Sequence, residues 1–166
     1  MPLEEYYKKR EFRKTPEPKG EIKEIGQHRF VIHQHQARHL HYDFRLELPE
    51  NASTKPSDPK EGIGFWVLKS WAVPKEPPTA PGIKRLAVQV EDHPVDYITF
   101  EGKIPEDQYG AGTVKIWDSG KFNLIERREN EIEFELLGEK LKGNYLLLRT
   151  KMGGNPRNWL LFKSHE

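Results

Sequence analysis

From Phe30 onward the apolar side chains fall at every second position in run after run, and this period-two rhythm constrains the fold more than any other feature. Successive side chains of an extended strand point to opposite faces, so such alternation builds sheets with one face against a core. The runs predict strands over 29–34, 39–48, 65–73, 84–91, 112–117, 121–126, 131–136, 143–149 and 158–163. Turn chemistry separates them. Asp118-Ser119-Gly120 reads as a short hairpin, Leu137-Gly138 and Lys142-Gly143 as two further reversals, and Gly153-Gly154-Asn155-Pro156 as another. No stretch carries an amphipathic helical pattern longer than about three turns. So many short strands in 166 residues predict a mainly β protein, closed as a barrel or packed as a sandwich.

Composition narrows the chemistry. The length suits one domain, and four Trp, eight Phe and six Tyr supply bulky core material. There is no cysteine, which excludes disulfides, thiolate zinc sites and cysteine nucleophiles; any metal must be held by imidazole and carboxylate. The net charge of +1 does not announce a nucleic-acid binder, so binding of that kind needs a local patch. The first residues, MPLEEYYKKREF, have no signal-peptide character and no segment reaches membrane-spanning length, so a cytoplasmic protein without membrane contact is expected.

Residues 1–25 are charged, with a turn at TPEP, and hold too few large apolar residues to fold alone; they are expected to dock as an arm on a domain of residues 26–166. Residues 49–64, PENASTKPSDPKEGIG, read as a long loop inserted between two strands. The sequon within it, Asn51-Ala52-Ser53, carries no meaning in a cytoplasmic protein.

The stretch HQHQARHLHYDFRLEL concentrates the chemistry. Read as a strand, 39–48 places Leu40, Tyr42, Phe44, Leu46 and Leu48 on a core face and His39, His41, Asp43, Arg45 and Glu47 on the other. A solvated outer face is the plain explanation of such alternation, but such faces are built of Lys, Glu, Thr and Ser. Here His33, His35, His39 and His41 fall within nine residues, beside an aspartate. Imidazole with carboxylate suits Mn²⁺, Fe²⁺ or Zn²⁺, which favours a metal site. Arg45 adds a planar fork that can grip a phosphate or carboxylate next to the ion. In RLAVQVEDHPVDY, Leu86, Val88 and Val90 are expected to face inward and Arg85, Gln89, Glu91 and His93 outward. His93, flanked by acids at a strand end, is the candidate distal ligand. The run QYGAG leads into a strand rather than a helix and is read as a tight turn, not a phosphate loop.

These residues support two mechanisms. His41-x-Asp43 with a distal His93 spells the facial triad of non-haem iron oxygenases, although no arginine follows His93 before Arg127. Metal-assisted phosphoester hydrolysis uses more of the same face, with Arg45 clamping phosphoryl oxygens and an unligated histidine moving a proton. A catalytically silent barrel that binds DNA ends is a third reading.

The pieces RKTPEP, FVIHQHQARHLHYDFRLEL, LKSWAVPK, KRLAVQVEDHPVDY, EGKIPEDQYGAGTVKIWD and NWLLFKS, in this order, resemble the 3′-phosphoesterase domain of DNA ligase D. The resemblance covers nearly the whole chain. It implies a small closed antiparallel β-barrel with an active-site groove on its outer surface. It also implies a Mn²⁺-dependent repair activity, with Co²⁺ or Zn²⁺ as alternatives, that removes a 3′-terminal ribonucleoside and then the 3′-phosphate from primer–template ends. By motif position it makes His35, Asp43 and His93 metal ligands, and it places His41, Arg45 and Tyr97 on the scissile phosphate with His41 as proton donor or transition-state stabiliser. Lys75 and Arg85 become supporting basic residues, and Arg10, Glu11 and Glu17 bring the arm over the groove. Three departures stand out: the 49–64 insertion, Glu76 and Asp107 where the family often has glycine, and a length that leaves no room for polymerase and ligase domains. The expectation is a monomer that serves a ligase or end-binding protein in trans.

Overall fold

The computed structural model describes residues 3–51 and 65–165, so residues 52–64 of the expected insertion lie outside the described residues. Strands β1 (Arg29–Gln36), β2 (Leu40–Pro49), β3 (Trp66–Val73) and β4 (Lys84–His93) follow one another antiparallel. The sheet continues through β9 (Asn158–Lys163), β8 (Lys142–Arg149), β7 (Glu131–Leu137) and β6 (Gly112–Arg128), which pairs back onto β1. The result is a closed eight-stranded antiparallel barrel, with a short β5 (Gly102–Ile104) outside it on β6. Closure removes the exposed edges that an open sheet of this size would leave, so of the two architectures the alternation allowed, the chain adopts the barrel.

The expected hairpin at 118–120 does not form. Residues 112–117 and 121–126 belong to one seventeen-residue strand, β6, which runs from β5 to β7 while β1 pairs across both halves with a register shift between Ile32 and His33. The Asp118 carboxylate instead reaches across to the β7–β8 turn, accepting the backbone N–H groups of Glu139 (3.0 Å), Lys140 (3.2 Å) and Leu141 (2.9 Å). Gly138 makes room for it, since a Cβ there would lie 2.4 Å from Asp118 Oδ2.

The barrel interior holds Phe30, Ile32, Phe44, Leu46, Trp71, Phe134, Tyr145 and Leu161, all fully or almost fully buried. Tyr42, Phe44, Leu46 and Leu48 face this core as their alternation requires, whereas Leu40 at the strand's start is 39% exposed. The outer face of β2 departs from the solvated reading: Asp43, Arg45 and Glu47 are buried. A second apolar layer covers them. It joins Leu3 and Tyr6, beside and within the helix α1 (Glu4–Lys8), to Val31, Val67 and Leu68 on the barrel wall and to Tyr97, Ile98 and Phe100 around a 3-10 turn at Val95–Thr99. Burying a tyrosine and a leucine contributes roughly 2 kcal/mol each, which holds the arm against the barrel.

On β4 the alternation runs opposite to the sequence reading. Ala87 is fully buried in the interior and Gln89 lies opposite Trp71, while Leu86 is 36% exposed and Val88 and Val90 are half-buried. A bulge then resets the register, because Ser70 pairs with Val90 but Leu68 pairs with His93. Three steps on β4 answer two on β3, and that extra residue lets Val90, Glu91 and His93 line one cleft together.

Candidate active site

The site is built on the outer wall of β1 and β2. His35 and His41 are direct cross-strand partners with ring centroids 4.7 Å apart, and Asp43 follows on the same face. His35 Nδ1 lies 3.5 Å from Asp43 Oδ2 and His41 Nε2 lies 3.2 Å from Asp43 Oδ1. The other nitrogen of each ring is committed to backbone: His35 Nε2–H donates to the Gly110 carbonyl (2.8 Å) and His41 Nδ1–H to that of His39 (3.2 Å). In the neutral rings this leaves two imidazole lone pairs converging on a carboxylate, an arrangement that a cation between them satisfies. The three donor atoms lie within 4.8 Å of one another. Burial alone would raise the Asp43 carboxyl, but Arg45 and the two imidazoles outweigh it and hold Asp43 well below the usual carboxylate range. His41 shows the opposite balance: burial lowers it, and the contact with Asp43 leaves it above its ordinary value.

Arg45 is buried in the wall of the cleft and held by four neighbours. Its Nε donates to His33 Nδ1 (3.1 Å), its Nη1 to Ser70 Oγ (2.9 Å), and its Nη2 lies 3.3 Å from Asp43 Oδ2. The Tyr97 ring lies beneath it, 4.9 Å from the guanidinium carbon. His33 is fully buried and pushed down to about 3, first by desolvation and then by Arg45. It is therefore a neutral ring whose Nε2–H donates to the Phe100 carbonyl (3.0 Å) while Nδ1 accepts from Arg45.

The arm closes the other side. Arg10 donates from Nε to Glu17 Oε2 (3.0 Å), from Nη1 to Glu91 Oε2 (3.3 Å), and from Nη2 to His93 Nε2 (3.3 Å). Glu17, itself buried, also accepts the Tyr97 hydroxyl (2.7 Å) and the Thr15 hydroxyl (2.9 Å). His93 Nδ1–H donates to the Glu91 carbonyl (3.0 Å). Burial, then Arg45 and Arg10, keep this imidazole well below its ordinary pKa and so neutral. Burial likewise raises the Tyr97 phenol. Between barrel and arm lies a cleft of about 320 Å³, floored by these groups and walled by Ala37, Ala72, Val90, Ile104 and Tyr109.

A buried carboxylate, paired imidazoles and a pre-positioned guanidinium in one cleft are the parts that phosphoester chemistry needs. Comparison with known sequences agrees. Residues 65–149, about half the chain, match the family model described as the DNA Ligase D 3′-phosphoesterase domain. The chain belongs to the DNA ligase D 3′-phosphoesterase domain family. The multifunctional non-homologous end joining protein LigD of Pseudomonas aeruginosa is 45% identical over 99% of this chain and 19% of its own length. That of Mycolicibacterium smegmatis is 43% identical over 99% of this chain and 21% of its own. The Mycobacterium tuberculosis protein is 40% identical over 95% and 19%. The chain spans about a fifth of the length of these curated relatives.

Within this 3′-phosphoesterase domain the predicted residues separate into two groups. His35, His41, Asp43, Arg45, His93, Tyr97, Arg10 and Glu17 all line the cleft. Glu11, Lys75 and Arg85 do not. Glu11 is 67% exposed with its carboxylate against Lys14, Lys75 is exposed, and Arg85 donates to the Glu76 carbonyl (2.8 Å). The donor atoms of His35, His41 and Asp43 lie within 4.8 Å of one another, and His93 lines the same cleft with its two nitrogens at Arg10 and the Glu91 carbonyl. Sequence reading missed His33, Ser70 and Glu91, which contact the functional groups from beneath. The signal for His33 was its parity: it shares a face with His35 and lies one pleat further toward Arg45. Among the described residues no helix is long and apolar enough to cross a membrane.

Proposed function

We propose that this protein heals DNA 3′ ends: it removes a 3′-terminal ribonucleoside from a primer–template, then the remaining 3′-phosphate, and leaves a 3′-OH for ligation in end-joining repair. The observation that supports it most is the convergence of the His35 and His41 lone pairs on Asp43, with Arg45 fixed alongside. His35, His41 and Asp43 are assigned as ligands of a divalent ion, Mn²⁺ first, with Co²⁺ or Zn²⁺ as substitutes; nitrogen and oxygen donors without thiolate suit all three. Such an ion would supply Lewis-acid polarisation of the phosphoryl oxygens.

The chain's own groups do the rest. Arg45, unable to swing away from His33, Ser70 and Tyr97, offers its outer edge to the phosphate in the ground state and as charge builds. His93, neutral and lining the cleft beside Arg10, is the imidazole that faces the phosphate. Since His41 is tied to Asp43, it is assigned to the ion rather than to proton donation. Tyr97, whose hydroxyl is taken by Glu17, supports Arg45 with its ring. In the first step water adds to phosphorus and the bond to the 5′ oxygen of the terminal ribonucleoside breaks. In the second, water adds again and the bond to the 3′ oxygen breaks, releasing inorganic phosphate. DNA ends are the substrate, a ligase or end-binding protein is the partner, and the enzyme works as a cytoplasmic monomer.

The test is a labelled primer–template ending in one ribonucleotide, incubated with protein and Mn²⁺ and resolved on a denaturing gel. A progression from ribonucleoside end to 3′-phosphate to 3′-OH, abolished by EDTA, is expected. An unchanged primer, or turnover that survives EDTA, overturns the reading.

A further inference from the structure

The QYGAG run, read from sequence as a plain turn, lies against the site in two ways. Its Gly110 carbonyl holds His35 Nε2, and the Tyr109 ring stands at the cleft's rim. The loop is fixed by backbone bonds from Gln108 to the Pro105 carbonyl (3.0 Å) and from Ala111 to that of Gln108 (3.2 Å). It packs so closely on β1 that a Cβ at Gly112, where φ is +132°, would lie 2.2 Å from the Gln36 oxygen. The ring is therefore carried on a stiff support.

Tyr109 differs from every other residue lining the cleft. It is 45% exposed, whereas the rest are buried or half-buried. The floor beneath it carries the charged Asp43 and Arg45, but the adjoining wall, Ala37 and Ile104, is apolar. Lys9 and Arg10 lie 4.7 and 5.2 Å from the ring centroid, so cationic charge accompanies the aromatic face. An exposed aromatic accompanied by cations beside a charged cleft is the pattern by which proteins hold single-stranded ends: the backbone goes to the charges and a base to the ring.

We infer that Tyr109 forms a nucleobase subsite, on which the base of the primer's 3′-terminal nucleotide stacks while its phosphate sits over Arg45. This rests on the proposed function above. It makes Tyr109 a substrate-binding residue of the 3′-end reaction, chosen for a flat π-face and so tolerant of base identity.

The experiment uses the whole protein and a primer–template carrying 2-aminopurine as the terminal base, whose fluorescence is quenched by stacking. Quenching on binding is expected for the wild type and for Tyr109→Phe, with loss in Tyr109→Ala. In turnover, Tyr109→Ala should raise KM for the primer roughly 5- to 100-fold, the range for one lost base stack, with kcat changed little. An abasic 3′-terminal nucleotide should erase the difference between wild type and Tyr109→Ala. If Tyr109 merely pins the arm through Lys9, then Lys9→Ala should reproduce Tyr109→Ala and the abasic end should leave their difference from wild type intact; that outcome overturns the inference. So does equal quenching in Tyr109→Ala. Quenching without turnover by the wild type would preserve the subsite and defeat the phosphoesterase reading, so the two failures are separable.

Discussion

Replacing His33 with alanine removes a side chain that touches no solvent yet supports the Arg45 guanidinium. The imidazole bridges Arg45 Nε (3.1 Å) and the Phe100 carbonyl (3.0 Å) at 0% exposure. Without it, a charged N–H and a carbonyl are both left buried and unpaired. The first costs about 2 kcal/mol and the second about 1 kcal/mol, and the vacated space adds about another, for a total of about 4 kcal/mol. With a urea m-value of about 2 kcal/mol/M, the unfolding midpoint of His33→Ala should fall by about 2 M. Two further readouts separate support from ligation. Mn²⁺ affinity by calorimetry should stay within a few-fold of wild type, because His33 lies outside the donor trio, while kcat should fall as Arg45 loosens. A midpoint shift below about 0.5 M would refute the bridging argument, and a loss of Mn²⁺ binding as large as that of His35→Ala would make His33 a ligand.

Other perturbations test other contacts. Arg45→Ala should slow both chemical steps by about 10²- to 10³-fold, measured by quenched-flow on ribonucleoside-ended and 3′-phosphate-ended primers; selective loss of one step would mean that the guanidinium is misassigned. Asp118→Ala deletes three backbone hydrogen bonds to a carboxylate at the β7–β8 turn and should lower stability by about 2 to 4 kcal/mol while leaving kcat unchanged. Denaturation together with the gel assay checks both, and a stability change under about 1 kcal/mol would remove the turn-organising role. Glu17→Gln should weaken the hold of the arm on Tyr97 and Arg10, seen as faster hydrogen exchange in residues 3–10; unchanged protection there would show that the apolar contacts of Leu3 and Tyr6 suffice.

What the sequence made legible follows from what alternation encodes. Strand positions and the inward face of β2 were readable because each residue's neighbours two places away fix its side. The pairing of His35 with His41 was not, since cross-strand register depends on the turn at residues 37–39. Asp118-Ser119-Gly120 carries hairpin residues, but the chain spends them on a strand that bends from one partner to another, and the aspartate caps a different turn. On β4 the alternation before the bulge runs opposite to the reading, and the bulge opposite Leu68 and Ser70 resets the register so that Glu91 and His93 line the cleft on the outer side. In the arm, Glu11 and Glu17 look equivalent as sequence, and only contacts with Arg10, Thr15 and Tyr97 distinguish the buried Glu17. The proposed choice of His41 over His93 as a ligand likewise rests on Arg10, whose Nη2 lies 3.3 Å from His93 Nε2.

The measurement that tests the account most directly is pulsed EPR of bound Mn²⁺, which resolves couplings to ligating nitrogens. Two imidazole nitrogens are predicted in the wild type, one in His35→Ala, one in His41→Ala and two in His93→Ala. Loss of a nitrogen coupling in His93→Ala, with His41→Ala unchanged, would contradict the proposed ligand set.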